Sequence, residues 1–291
     1  MNGIGNRPRI VVLCCDGIYQ RYFVQRLHQA YQVVGIVVRK EPQAKGSLAG
    51  RLRRYLNPVA LARYLLARFD MARSARVSAG LVESLYYEQG RPPAMPAGVE
   101  CITVPDINSP EAVAFVERHA PDMVCVNGTN LLRAPMLGLA DQIPLGIVNL
   151  HTGLSPYTRG GNCNLFALLE GKPEWVGVTV HHIDPGIDSG DLILTRQVEM
   201  QADDEYDHID ARTFRLGADL MVLAVKQIAE GRAARVPQWD EGKLYLRRTG
   251  YVYEPYHWYR ANRLLRKGLI KRYLQEKKVR DAAVRLVGET S

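Results

Sequence analysis

The feature that most restricts the fold is a recurrence. Short, nearly continuous apolar runs rich in Val and Ile return along the chain, with helical patterns between them. RIVVLCC (9 to 15) is followed by the helix-spaced YQRYFVQRLHQAY and then by VVGIVVR (33 to 39). After a Pro-rich turn near Pro92, Pro93 and Pro96 come ECITVPDI, SPEAVAFVERHA and DMVCVNG, in which Ser109 reads as an N-cap and Pro110 as the first helical residue. GIVNLH (146 to 151), a helix from Asn162 to about Glu170 closed by Gly171, and VGVTVHHID (176 to 184) complete the series. A strand covered on both faces reads as an unbroken apolar run, and parallel strands need long crossovers, which the helices supply. The pattern predicts an α/β chain with a mostly parallel sheet flanked by helices. In such sheets ligands sit beyond the carboxyl ends of the strands, where Asn127 to Asn130, Asn149 to His151 and His182 to Asp188 fall.

The first strand-to-helix turn, CCDGIYQRYF, has one glycine where a dinucleotide loop needs G-x-G-x-x-G, and no G-x-x-x-x-G-K-[ST] occurs. Nicotinamide dinucleotides and the usual triphosphate loop are therefore disfavoured. The net charge of +8 is uneven: residues 51 to 76 carry a net +6 and residues 257 to 285 a net +8, so the remainder is mildly acidic. A surface built to grip a polyanion along its length would not be so divided, and specific nucleic-acid binding is not expected. The five cysteines show no C-x-x-C spacing, which argues for reduced thiols and against a structural zinc site. The start, MNGIGNRPRI, lacks the apolar core of a signal peptide, and no apolar run approaches the ~20 residues that span a bilayer; a cytoplasmic address is expected.

Two stretches carry chemistry. NLHTGLSPYTRGG (149 to 161) sets an amide, an imidazole and an arginine just past a strand, and GVTVHHIDPGIDSGDLI ends a strand at His181 and His182 before a tight turn presents Asp184 and Asp188. Taken in order, N-x-H, P-x-x-R-G and D-x-G-x-D-x-G-D resemble the folate-dependent formyltransferase family, over about Asp122 to Met200. That family includes the catalytic domains of methionyl-tRNA, glycinamide ribonucleotide and sugar N-formyltransferases. The resemblance implies a Rossmann-like fold, 10-formyltetrahydrofolate as formyl donor, no metal, and Asn149, His151 and Asp188 as the catalytic trio. It also places Asn130, Leu131 and Leu132 on one side of the pteridine and Ile183, Asp184, Pro185 and Gly186 on the other. Tyr157, Arg159, Gly160 and Gly161 would shape the acceptor entrance.

The chemistry suits those residue types. An amine adding to a formyl carbon puts negative charge on the oxygen, which the Asn149 amide and a His151 imidazolium would stabilise. Asp188 would hold His151 charged and help to take the amine's proton. Each residue also has a plainer reading. Asn149 and His151 could satisfy backbone groups at a strand end, Arg159 could form a surface ion pair, and Asp184 could only cap its turn. His181, His182 and Asp184 could be metal ligands, although neighbours in a strand point to opposite faces.

The expected organisation is a catalytic domain over residues 1 to 232, with a basic helical insertion near 46 to 80, and a short C-terminal extension over 233 to 291 holding a hairpin and a basic helix. Pro58 is expected to split the insertion into two short helices. Residues 51 to 76 could serve a structural role or touch an anionic membrane or another partner; a homodimer is compatible with the sequence. The glycinamide ribonucleotide enzymes' phosphate loop does not match CCDGIYQRYF, and the tail leaves little room for the tRNA enzymes' barrel. By elimination the expected acceptor is a small-molecule amine, foremost a nucleotide-linked amino sugar whose phosphates Tyr157, Trp258 or Arg260 would meet. A methionyl-tRNA formyltransferase, a formyltetrahydrofolate hydrolase and a basic nucleic-acid or membrane-surface binder stand as alternatives.

Overall fold

A computed structural model describes residues 7–40 and 56–288. The elements in order are β1 (Arg9–Cys15), α1 (Ile18–Ala30), β2 (Gln32–Arg39), α2 (Pro58–Tyr86), β3 (Glu100–Val104), α3 (Pro110–His119) and β4 (Met123–Asn127). They continue with α4 (Ala134–Leu137), β5 (Ile147–His151), β6 (Thr158–Gly160), α5 (Cys163–Leu169), β7 (Gly177–His182) and β8 (Leu192–Gln197). The chain closes with α6 (Tyr206–Ala229), β9 (Lys243–Tyr245), α7 (Pro255–Arg266) and α8 (Leu269–Asp281).

Seven strands form one sheet in the order β3-β2-β1-β4-β5-β7-β8. Pairing is parallel from β3 through β5, and β7 and β8 add antiparallel. The apolar runs are strands buried on both sides. On one side Ile10, Val12, Val148 and Val180 pack under α1 and α6; on the other Val11, Leu13, Val124 and Val126 pack under α3. Ser109 caps α3 through its side chain, with Pro110 at its start. Gly217 lets α6 lie close on β5, since a Cβ there would meet Leu150 Cδ2 at 2.9 Å.

Two expectations about organisation are corrected. Pro58 does not divide a pair of short helices; it opens the 29-residue α2, and Asn57 caps that helix by accepting from the Val59 and Ala60 amides. A proline in the first turn removes no helical hydrogen bond. The portion of the basic insertion before Leu56 lies outside the described residues. The stretch around residue 244 is not a hairpin: β9 pairs in parallel with the distant β6, Thr158 opposite Lys243 and Gly160 opposite Tyr245. Among the described residues no helix is long and apolar enough to cross a membrane.

Candidate active site

β5 and β7 run antiparallel, with Asn149 opposite His181 and His151 opposite Thr179. Period-two alternation therefore sets Asn149, His151, Thr179 and His181 on one face of the sheet. The loop after β7 carries Asp188 back over this row. Asp188 Oδ2 lies 3.4 Å from His151 Nδ1, and Asp188 Oδ1 lies 3.5 Å from His181 Nε2 and accepts a long bond from Asn149 Nδ2 at 3.4 Å. Asn149 Nδ2 also lies 3.1 Å from His181 Nε2, while His181 Nδ1 lies 2.7 Å from the carbonyl oxygen of His182. A carbonyl only accepts, so His181 Nδ1 donates to His182, while its Nε2 faces both the Asn149 amide and the Asp188 carboxylate.

The expected trio thus stands together in space, and His181 is a fourth member that sequence reading assigned only to a metal alternative. The signal that exposes it is the antiparallel register, which makes residues 149 and 181 direct cross-strand neighbours. His182 points to the other face and lines a separate cavity with Gly146 and Arg235. The metal reading is corrected on that ground: His181 and His182 diverge. Among the described residues no group of three or more His, Cys, Asp or Glu is arranged to hold an ion.

His151 is almost fully enclosed, and burial pulls its pKa below the ordinary histidine value against the opposing pull of Asp188. Against burial, Asp188 Oδ2 faces Nδ1 and the Thr158 carbonyl lies 3.2 Å from Nε2, so both ring nitrogens look at acceptors and both contacts favour the protonated ring. Burial alone would raise the Asp188 carboxyl. The two imidazoles and the Gly160 amide, which donates to Oδ2 at 2.9 Å, overcome it and hold the group well below the usual carboxylate range.

Asp188 has φ +46°, in the left-handed region that a non-glycine residue enters at a cost of about 1–3 kcal/mol. The loop is held there from outside. Gln238 Nε2 donates to the carbonyls of Asp188 and Gly190 at 2.8 and 3.0 Å, and Asp184 caps the turn by accepting from Gly186 N and Ser189 Oγ. Gly160, at φ +98°, is pinned between the carboxylate and β9, where a Cβ would lie 2.6 Å from the Tyr245 carbonyl oxygen. Gln238 and β9 escaped sequence reading because a single glutamine and a three-residue strand have no periodic signature.

These groups open into a cleft of about 350 Å3 at the carboxyl ends of the strands. Asn130, Leu131, Leu132, Ile183, Asp184, Gly186, Gly160 and Gly161 of the expected residues line it, and so do Gln20, Phe214 and Leu246, which were not anticipated. The Asn130 side chain is committed elsewhere, to Asp106 and the Ile107 amide, which leaves its backbone and the neighbouring leucines to form the wall. Pro185 is not among the lining residues. Tyr157 and Arg159, expected at the acceptor entrance, are not among the residues that line the cleft. The Tyr157 ring stacks on Trp175, and its hydroxyl accepts from the Arg285 amide at 2.6 Å. Trp258 also stands off the cleft, bonded to Asp207 and packed edge-on against Tyr206, and Arg260 does not line it.

Comparison with known proteins agrees with this geometry. The model of the family described as formyl transferase matches residues 85–225. Over 141 residues the chain is 30% identical to a methionyl-tRNA formyltransferase of Syntrophus aciditrophicus, covering 48% of this chain and 44% of that protein. The chain therefore spans about half the length of the curated relatives it matches. In structure it resembles a Mycobacterium tuberculosis protein inferred to be a sugar N-formyltransferase (TM-score 0.52, 18% identity, 89% of this chain and 87% of that one). It also resembles glycinamide ribonucleotide transformylase 1 of Symbiobacterium toebii (TM-score 0.51, 21% identity, 80% and 95%). The matched segment holds β4, β5, β7 and the Asp188 loop, and over it the chain is similar to the formyl transferase family.

Proposed function

We propose that the chain is an N-formyltransferase that moves the formyl group of 10-formyltetrahydrofolate to the amine of a small molecule, foremost a nucleotide-linked amino sugar. The observation that carries this reading is the meeting of Asn149, His151 and Asp188 on one wall of the cleft. The cleft also fits the donor. Leu131, Leu132, Ile183 and Ile187 offer apolar surface to a flat ring, and the backbone of residues 128 to 132 lies within reach of its polar edge. Such a donor supplies a formyl carbon, bonded to nitrogen, that an amine can attack.

The chain's own residues then have distinct tasks. The Asn149 amide donates to the carbonyl oxygen as negative charge gathers there. His151 takes the proton that the incoming amine sheds, the Asp188 carboxylate stabilises the imidazolium so formed, and the imidazolium returns that proton to the donor nitrogen as its bond to the formyl carbon breaks. His181 orients Asn149 through the 3.1 Å contact to its Nδ2. Aromatic and apolar surface from Phe214 and Leu246 flanks the side from which the acceptor would enter.

Mass spectrometry of mixtures containing the donor and a panel of nucleotide-linked amino sugars tests the proposal: one acceptor should gain a formyl group only when enzyme and donor are both present. Formate release at the same rate without any amine would instead show a hydrolase. A second acceptor, methionyl-tRNA, is favoured by the curated relatives, and formylation of charged initiator tRNA in the same assay would select it.

A further inference from the structure

The helix α2 is turned inside out. Its buried side carries Ala67, Asp70, Ser74 and Ser78, whereas Leu61, Leu65, Leu66 and Phe69 face solvent, with Leu65 56% and Phe69 70% exposed. Burial of a polar stripe is sustained by partners on the body of the protein. Asp70 pairs with Arg266 and accepts from Asn262, Ser74 donates to Asp207, and Ser78 donates back to the Ser74 carbonyl. The chain has thus spent its polar residues inward and left apolar ones outside, the reverse of a helix that meets water.

The polar residues on the exposed side are of one sign. Arg63, Arg68 and Arg76 are exposed, and none has a carboxylate partner among the described residues. Between Leu56 and Val82 the one acidic residue is the buried Asp70. Arg73 is already paired with Glu205. A second copy of the chain would lay these arginines against themselves with no carboxylate on the face to answer them. A partner that offers negative charge at its surface and hydrocarbon beneath satisfies both halves of the pattern, since arginine stems can follow the apolar stripe while their heads stay at the charged layer. The rings of Tyr256 and Tyr259 stack beside the start of the helix, with Arg63 over Tyr256 at 5.3 Å, and such rings suit the headgroup level.

We propose that the outward face of α2 docks on an anionic phospholipid bilayer, lying in its interface without crossing it. The contact is independent of the formyl-transfer site, because none of these residues lines the cleft.

Co-sedimentation of the full chain with phosphatidylcholine vesicles, with and without phosphatidylglycerol, tests this. Binding should be at least ~10-fold stronger with phosphatidylglycerol and should weaken as salt rises. Leu65→Glu with Phe69→Glu should reduce it by ~10²-fold, and Arg68→Glu with Arg76→Glu by ~10-fold or more. These positions are exposed, and circular dichroism and unchanged folate binding would confirm that both variants fold. Three results would overturn the proposal: no binding to anionic vesicles, binding that ignores the substitutions, or lipid-free self-association in sedimentation velocity that Leu65→Glu with Phe69→Glu abolishes. The last would make the face a contact between copies.

Discussion

In the proposed mechanism the chemistry turns on His151, whose environment makes opposing demands. Burial favours the neutral ring, while Asp188 and the Thr158 carbonyl are placed to receive protons from its two nitrogens. A histidine whose folded pKa lies below its unfolded value of 6.5 takes up a proton on unfolding. Its contribution to stability is therefore complete above the unfolded value and falls as pH drops below it. Asp188, with its pKa depressed, contributes stability that is present above the ordinary value of 3.8 and is lost as pH falls through the folded one. Denaturant midpoints should decline first below pH 6.5 in the wild type, and that early decline should be smaller in His151→Asn, where His182, also lowered by burial, still contributes; an identical decline in both would assign it elsewhere. Nitrogen-15 spectra should place the His151 titration below that of a free imidazole, and Asp188→Asn should depress it further, because the carboxylate is what raises it. In turnover, Asn149→Ala and His151→Asn should each lose ~10²- to 10³-fold in kcat with donor affinity largely kept. Asp184→Asn, which loosens the turn capped by that side chain, should chiefly weaken folate binding.

Among the elements, the short parallel pair β6 and β9 does the most to set the site. It places Gly160 so that its amide meets Asp188, while Gln238, just before β9, grips the carbonyls on either side of the turn. Gly160→Ala would put a methyl group against the Tyr245 carbonyl at φ +98°. It should cost about 1–3 kcal/mol of stability, readable as a lower denaturant midpoint, and reduce kcat. Gln238→Ala should leave the fold intact and lower kcat by ~10-fold with KM for the donor unchanged; an equal rise in KM would mean that Gln238 supports binding instead of the carboxylate's position. These elements also show what a sequence can disclose. The sheet, its helices and the trio were legible because β-branched runs, caps such as Ser109 and three linked motifs all leave local marks. The parallel β6–β9 contact, the reversal of direction at β7 and the left-handed Asp188 arise from pairing between distant segments, and no local pattern announces them. Tyr157 and Arg159 stand off the cleft, and no local pattern tells which residues next to the Gly160 pairing will line it.

At the scale of the molecule, one sheet presents a cleft at its carboxyl edge, and among the described residues no Lys or Arg lines it. If the amine acceptor is small, tRNA should bind weakly and with steep salt dependence, as counterion release requires. A salt-tolerant nanomolar complex with initiator tRNA, measured by filter binding, would favour the reading suggested by the curated relatives. The proposed formyl transfer requires a cleft that binds a folate and a carboxylate that serves the reacting imidazole, so both must be measured on the same variant. The decisive measurement pairs calorimetry of 5-formyltetrahydrofolate binding with single-turnover transfer from 10-formyltetrahydrofolate to the identified acceptor, for wild type and Asp188→Asn. The account predicts that both proteins bind the folate with similar affinity and that transfer falls by ~10²-fold or more in the variant, a transition-state loss of about 3 kcal/mol. Wild-type transfer rates in Asp188→Asn, or no folate binding to either protein, would contradict it.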